Sequence, residues 1–331
     1  MRWDLRNQAC SSLKLSIPSA NLKASSKKYG GLLSETEQAT PFQTFEWVLA
    51  NLLAFENDGL HLLLFRQQQA GLVGFLPLVF RRGRRYVRAG RWLELATQPY
   101  ADHGMATIWP TFEAGVAETL LDHLHTNKNT WTAVHLDKVF PHDSFIDQLR
   151  RLAPRQKFMV NARPTHHSRR VIKDSITAAA ASKSLDKAAK RLSARGSLTF
   201  RVYTEPAEIE ARLSTFFQLH AERFSAKGLR SPLLDARQQT FYNSLVRQLV
   251  PPNGVWLSCL QCDDVPIAMR FSLLRKQTLH LYATCFANEF AKYSPSMVQL
   301  RMLLHFAFSN GVEVVDFGVG DSPHKEHFGE T

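Results

Sequence analysis

Residues 255–286, VWLSCLQCDDVPIAMRFSLLRKQTLHLYATCF, decide the fold. The stretch divides at Cys262-Asp263-Asp264 and at Lys276-Gln277 into three apolar runs, 255–261, 265–274 and 278–286, each of strand length. Connections this short join antiparallel neighbours, because a parallel crossover needs a dozen or more residues. An antiparallel meander is therefore expected. Downstream, Ser294-Pro295 opens a helix by the cap-then-proline rule, Gly311 stops it, and Val312 to Gly318 reads as a closing strand. Upstream, 198–203 alternates as a strand. Ile209, Leu213, Phe216, Phe217, His220 and Phe224 then share one helical face, and a further helix fills 235–249 before Pro251-Pro252. The order is strand, two helices, three strands, helix, strand.

The N-terminal half is patterned less clearly. Thr40-Pro41 is expected to cap and begin a helix whose apolar residues are Phe45, Val48, Leu49, Leu52 and Leu53. Strands are predicted at 61–65 and 71–80, a turn at Gly83 within Arg81 to Arg85, a helix over 111–127 and a strand over 132–139. A basic, Ala-rich segment at 171–195 reads as a helix ending at Gly196. The expected plan is a weakly patterned 1–39 (an extension or the start of the first domain), a first domain over 40–165, a basic helical connector over 166–197 and a second domain over 198–331. The fold class is α/β (α+β), with two domains, each a mixed, mainly antiparallel sheet flanked by helices.

Composition narrows the function. Hydrophobic residues make up 44% and charged residues 21% of the 331, ordinary globular usage, and 22 Phe can furnish two cores. No apolar run approaches the ~20 residues of a membrane helix. Met1-Arg2-Trp3-Asp4 leads into no apolar h-region, and Cys10, Cys259, Cys262 and Cys285 are too few for a disulfide framework, so a reducing cytoplasm is expected. The net charge of +12 sits in two places: six arginines from Arg81 to Arg91, and eight basic against two acidic residues from Arg169 to Arg195. Such stretches are either solvated faces or attract an anion such as CoA phosphates, an acidic glycan or RNA.

Metal and nucleotide-loop chemistry find little support. Cys259 and Cys262 face opposite ways on a strand, and no second pair completes a zinc site. His324 and His327 with Asp321 are a poor metal set, and neither a GxxxxGK[ST] loop nor a GxSxG elbow is present. No metal is expected. The helix at Ser294 is more promising. Its first turn carries no acidic residue, and its N–H groups, with the Ser294 and Ser296 hydroxyls, suit a pyrophosphate, although capped helices after strands are common.

Several segments together resemble a known family. They are Tyr293-Ser294-Pro295-Ser296, then Val315-Asp316-Phe317-Gly318, then Gly320-Asp321-Ser322-Pro323-His324-Lys325. To these add Leu219-His220-Ala221-Glu222-Arg223-Phe224, the hairpin Asp264-Val265-Pro266-Ile267-Ala268 and, nearer the N-terminus, Thr40-Pro41-Phe42-Gln43, Leu76-Pro77-Leu78 and Tyr100-Ala101-Asp102. Their order and spacing resemble the CelD-like acetyltransferase branch of the GNAT superfamily, related to the Fem-type aminoacyltransferases, over about residues 40–330. Ser296 replaces the family's usual Gly and His324 its usual Tyr. The family's sheet continues past the position of Thr331, so a truncated second domain is expected.

The resemblance implies a mechanism. Acyl-CoA would wedge between splayed strands at 278–286 and 312–318, a backbone N–H of the first would hold the thioester oxygen, and an acceptor amine or hydroxyl would attack directly. Asp316 is the expected base or acceptor-binding group, and His280 or Tyr282, on a strand face shared with Thr284, the group that protonates the leaving thiolate. Tyr293, Ser294, Ser296 and Met297 would hold acetyl-CoA or another acyl-CoA. His220, Arg223, Lys325 and Asp102 would hold the acceptor, a small molecule or glycan in the cleft between a degenerate first domain and the second. N- or O-acetylation of a sugar or cell-envelope precursor is the expected reaction. A Fem-type transfer from aminoacyl-tRNA and a non-catalytic binding protein on the same scaffold are the alternatives.

Overall fold

The structure, a computed structural model, describes residues 14–16, 40–55, 60–85, 88–96, 101–104, 106–139, 143–161, 170–172, 183–249 and 253–319. They fall into two compact units, Met1–Leu52 with Glu56–Thr165, and Leu53–Phe55 with His166–Thr331.

In the first unit β1 (Lys14–Ser16), β2 (Leu60–Gln67), β3 (Gly71–Arg85), β4 (Arg88–Leu95), β5 (Thr107–Ile108) and β6 (Ala133–His135) form one sheet, ordered β1-β2-β3-β4-β6 with β5 beside β3. Helices α1 (Phe45–Phe55), α2 (Glu113–Thr126) and α3 (Ser144–Leu152) accompany it. The expected turn at Gly83 is instead strand. Gly83 pairs with Gly90, so the arginines lie along the two arms of one long hairpin. The helix expected at Thr40 also starts differently. A 3-10 turn occupies Pro41–Gln43, and Gln43 Oε1 accepts the Thr40 N–H at 2.7 Å. The α-helix begins after Thr44, whose hydroxyl accepts the Trp47 N–H at 3.1 Å and so does the capping.

In the second unit β7 (Arg170–Ile172), β8 (Leu198–Tyr203), β9 (Gly254–Cys262), β10 (Val265–Arg275), β11 (Thr278–Phe286) and β12 (Val314–Asp316) form a sheet ordered β7-β12-β11-β10-β9-β8. All neighbours are antiparallel except β11 and β12. Helices α4 (Lys183–Ser193) and α7 (Pro295–Ser309) cover one face, where Leu185, Leu279, Leu281, Leu300, Leu303 and Leu304 share a core. Helices α5 (Pro206–Ser225) and α6 (Ala236–Gln248) bring Phe216 and Tyr242 against Phe271 on the other face. The basic helix expected over 171–195 splits. Arg170–Ile172 is strand β7, antiparallel to β12, and of the other described residues in that stretch Lys183–Ser193 form a helix. At Gly196, an added Cβ would displace the Asp263 carboxylate, which accepts the Ser197 N–H at 2.8 Å. Gly311 ends α7 with φ +83°, a conformation that favours glycine.

The two units repeat one plan. Each has an antiparallel meander (β2-β3-β4; β9-β10-β11), then a helix (α2; α7), then a short strand parallel to the last meander strand (β6 to β4; β12 to β11). They differ where the meander ends. The β3–β4 ladder has no register shift, and β4 stops at Leu95, one residue past its last pairing with β6, Glu94 to His135.

Candidate active site

The second meander is not regular. Between Phe271 and Ser272 of β10 the register steps from Phe271–Ala283 to Ser272–Leu281, making Tyr282 the extra residue of a bulge in β11. An inserted residue moves every later side chain to the opposite face. Before the bulge, Leu279 and Leu281 pack under α7. At the bulge the Tyr282 ring lies 5.8 Å from Tyr242 of α6 and 6.3 Å from Phe271. Beyond it, the Thr284 hydroxyl is 3.3 Å from that of Ser296 in α7. The expectation that Tyr282 and Thr284 share a face is thus corrected, and the bulge is the cause.

Beside the bulge the pairing of β11 with its neighbour is short. Strands β11 and β12 pair over three positions, Thr278–Val314, Leu279–Val315 and His280–Asp316; β12 then ends while β11 runs on to Phe286. Among the described residues β11 has no ladder partner on that side beyond the His280–Asp316 rung. Asp316 is fully buried. Its Oδ1 accepts the Gly318 N–H at 2.8 Å, and its Oδ2 lies 3.8 Å from Nδ1 of the buried His280. Asp316 and His280 are therefore brought together.

The start of α7 is less generous than its sequence implies. A 3-10 segment, Asn288–Tyr293, separates β11 from the helix, and Ser294 enters it at φ +53° with no side-chain cap bond. Pro295 has no N–H, and Met297 and Val298 both donate to the Ser294 carbonyl, at 3.0 and 3.2 Å. That leaves the Ser296 N–H as the donor of the first turn. Tyr293 and Met297 pack against neighbouring cores, while Ser294 is exposed.

Ser296 belongs to a polar cluster that sequence reasoning missed. Its Oγ is 3.3 Å from Nη2 of Arg270, a buried β10 residue, and Arg270 Nε donates to Gln299 Oε1 at 3.4 Å. The Gln299 amide in turn donates to the Ser258 carbonyl and hydroxyl, at 3.0 and 2.9 Å. Burial first, and the nearby Arg223 second, push the Arg270 guanidinium down to about 10. An arginine in the middle of the apolar run 265–274 was the available signal.

On α5, His220 stacks on Phe224 at 4.4 Å, and its Nδ1 lies 2.8 Å from the Ser231 hydroxyl. Ser231 Oγ also accepts the Leu233 N–H at 3.1 Å, so one hydroxyl ties the imidazole to the turn that follows α5. Burial, then Arg223, push His220 down to about 4, which keeps it neutral at physiological pH. Arg223 donates to the Thr284 carbonyl at 2.9 Å and lies 4.8 Å over the Phe286 ring, while its Nε is buried without a partner. Asp102 lies in the first unit and is half-buried. Lys325, with Asp321, His324 and His327, falls outside the described residues. An open depression beside α5, lined by Glu210, Leu213, Phe217, Gln218, Leu234 and Asn243, holds none of the expected site residues.

The three described cysteines are buried and unpaired, and burial pushes Cys259 up to about 11 and Cys285 up to about 12, so neither is a ready nucleophile. Among the described residues no group of three or more His, Cys, Asp or Glu is placed to hold a metal, and no helix is long and apolar enough to cross a membrane.

A meander with a bulged last strand, a helix crossover and a short parallel partner is the architecture of the GNAT acyltransferase fold. Residues 179–326 match the family described as acetyltransferase (GNAT) domain, a stretch that falls within the second unit. Among solved structures the chain is similar to FemX, at 10% identity and TM-score 0.61 over 94% of this chain and 89% of that one. A conserved protein of unknown function from Bacteroides thetaiotaomicron aligns at 10% identity and TM-score 0.60, covering 96% and 95%. The C-terminal domain of a protein described as a lysylphosphatidylglycerol synthetase, from Agrobacterium fabrum, aligns at 11% and 0.55, covering 90% and 78%. These likenesses span both units and concern the fold. No curated protein matches the chain by sequence.

Proposed function

We propose that the second unit is an acyltransferase that moves an acyl group from acyl-CoA, acetyl-CoA in the first instance, to an amine or hydroxyl of a sugar or cell-envelope precursor. The observation that carries this reading is the opening of β11 from β12 at the His280–Asp316 rung, with the Tyr282 bulge beside it. An extended pantetheine fits an unpaired strand edge, and a bulge turns backbone out of the ladder toward a thioester oxygen. Asp316 then acts through His280: the imidazole takes the proton that the attacking group sheds, and the carboxylate 3.8 Å away stabilises the imidazolium. The acceptor's new bond to the acyl carbon forms as the carbon–sulfur bond breaks. The proton passes to the sulfur, from His280 or through Tyr282. Among the described residues of the first unit the β3–β4 ladder has no register shift and β4 ends one residue past its pairing with β6, which supports its reading as a degenerate copy.

The alternative is a Fem-type transfer with an aminoacyl ester of tRNA as donor, on a fold that FemX shares. An assay with acetyl-CoA and a panel of amino and hydroxy sugars tests the first reading. Thiol release is expected from the parent and is expected to vanish in Asp316→Ala while acetyl-CoA affinity stays within about threefold. Equal turnover in the two would refute the role of Asp316. No turnover, with a tRNA gel shift that persists at physiological salt, would transfer the assignment to the aminoacyl reading.

A further inference from the structure

The two units end their parallel pairing on the same chemistry. In the second unit the last rung between β11 and β12 joins His280 to Asp316; in the first, the last rung between β4 and β6 joins Glu94 to His135. The two residue types are exchanged between the strands, so the likeness lies in the chemistry of the rung and not in copied residues. The faces agree as well. Leu93 and Val134 share a core with Val116 and Leu120 of α2, and alternation turns Glu94 and His135 to the opposite side of the sheet. Leu279 and Val315 likewise pack under α7, which puts His280 and Asp316 on the other side. Two residues back from Glu94 and His135, on the same face, stand Trp92 and its rung partner Ala133. All four are half-buried.

The surroundings of this rung select the kind of ligand it can serve. β4 stops at Leu95, one residue past Glu94, and the β3–β4 ladder is regular, so among the described residues no length of free strand lies there for an extended chain such as pantetheine. A compact ligand fits instead. Rung partners hold their Cβ atoms about 5 Å apart, so a carboxylate and an imidazole on one rung can converge on a single small molecule. The carboxylate accepts from two donors, and the imidazole donates or accepts once more. That set complements neighbouring hydroxyls, or a hydroxyl beside an ammonium. Trp92 adds a flat apolar ring on the same face, and Ala133 beside it carries only a methyl group. An aromatic surface flanked by a few fixed polar groups is what a sugar ring requires, with its C–H face against the indole and its hydroxyls toward the pair.

We propose that Trp92, Glu94 and His135 form a saccharide-binding site of the first unit, separate from the His280–Asp316 rung of the second. Binding is read without turnover, so the site stands or falls apart from the acyltransferase reading. The test is a saturation-transfer NMR titration of the full chain with glucosamine, without acyl-CoA. Parent protein binds saturably, and the ring protons of His135 shift with the same affinity. Glu94→Gln and His135→Gln, which keep the shape of each side chain, bind about tenfold more weakly, as does Trp92→Ala. Asp316→Ala stays within about twofold of the parent. Should Trp92→Ala fail to fold, Trp92→Leu removes the aromatic face while filling the position, with weakening again expected. Absence of saturable binding to the parent, or equal affinity in parent and Glu94→Gln, overturns the proposal. So does loss in Asp316→Ala with Glu94→Gln unaffected, which would place the sugar in the second unit and leave the acyltransferase reading standing.

Discussion

His220 illustrates how far single residues could be read. Its place on an apolar helical face was legible from spacing, as was its closeness to Arg223 one turn on. Its chemistry was not, because Ser231 reaches it through a turn that no helical periodicity describes. The burial has a consequence for stability. His220 titrates near 4 in the folded chain against an ordinary value of 6.5, so between those values the unfolded chain binds a proton that the native one refuses. The stability tied to the neutral imidazole is therefore complete above pH 6.5 and is lost as pH falls toward 4. Urea unfolding across that window should show the parent losing stability more steeply than His220→Gln; parallel curves would contradict the assignment. Asp316 was legible as a strand residue beside the slot, but its pairing with His280 depends on a parallel register between segments about 36 residues apart. Local pattern carries no such register.

Secondary elements were read best where the chain alternates cleanly. The three meander strands and the helix from Pro295 follow from apolar runs and turn residues, with ends within a residue or two of those expected. The bulge at Tyr282 was not visible, since one inserted residue leaves the composition of the strand unchanged and only the partner strand exposes the extra count. Likewise β7 was hidden inside a basic stretch that reads as helix, because its three residues are held by pairing with β12 rather than by propensity. At the start of α7, Ser294 sits at φ +53°, where a side chain is disfavoured. Ser294→Gly should stabilise the chain by about 0.5 kcal/mol, the relief of backbone strain exceeding the added freedom of the unfolded chain. A lower unfolding temperature for that variant would mean that the serine makes a contribution beyond its backbone. Within the same helix, Leu303 is fully buried between helix and sheet, and Leu303→Ala should cost about 2–5 kcal/mol in denaturant unfolding.

At the scale of the molecule, one plan occurs twice and is elaborated once. The repeat was only hinted at by an early helix running into paired strands in each half, because the two halves share topology without shared residues. Among the described residues the two units differ in that the β10–β11 ladder carries a register shift and β11 runs past its pairing with β12, whereas the β3–β4 ladder is regular and β4 ends one residue past its pairing with β6, differences of register rather than of composition. The central claim is that the opening between β11 and β12 receives an acyl-CoA. Its most direct test is a crystal structure of the full chain with acetyl-CoA. The pantetheine is predicted to run along β11 beyond His280, with the thioester beside Tyr282. Density for the ligand elsewhere, with side chains filling that opening, would contradict the account.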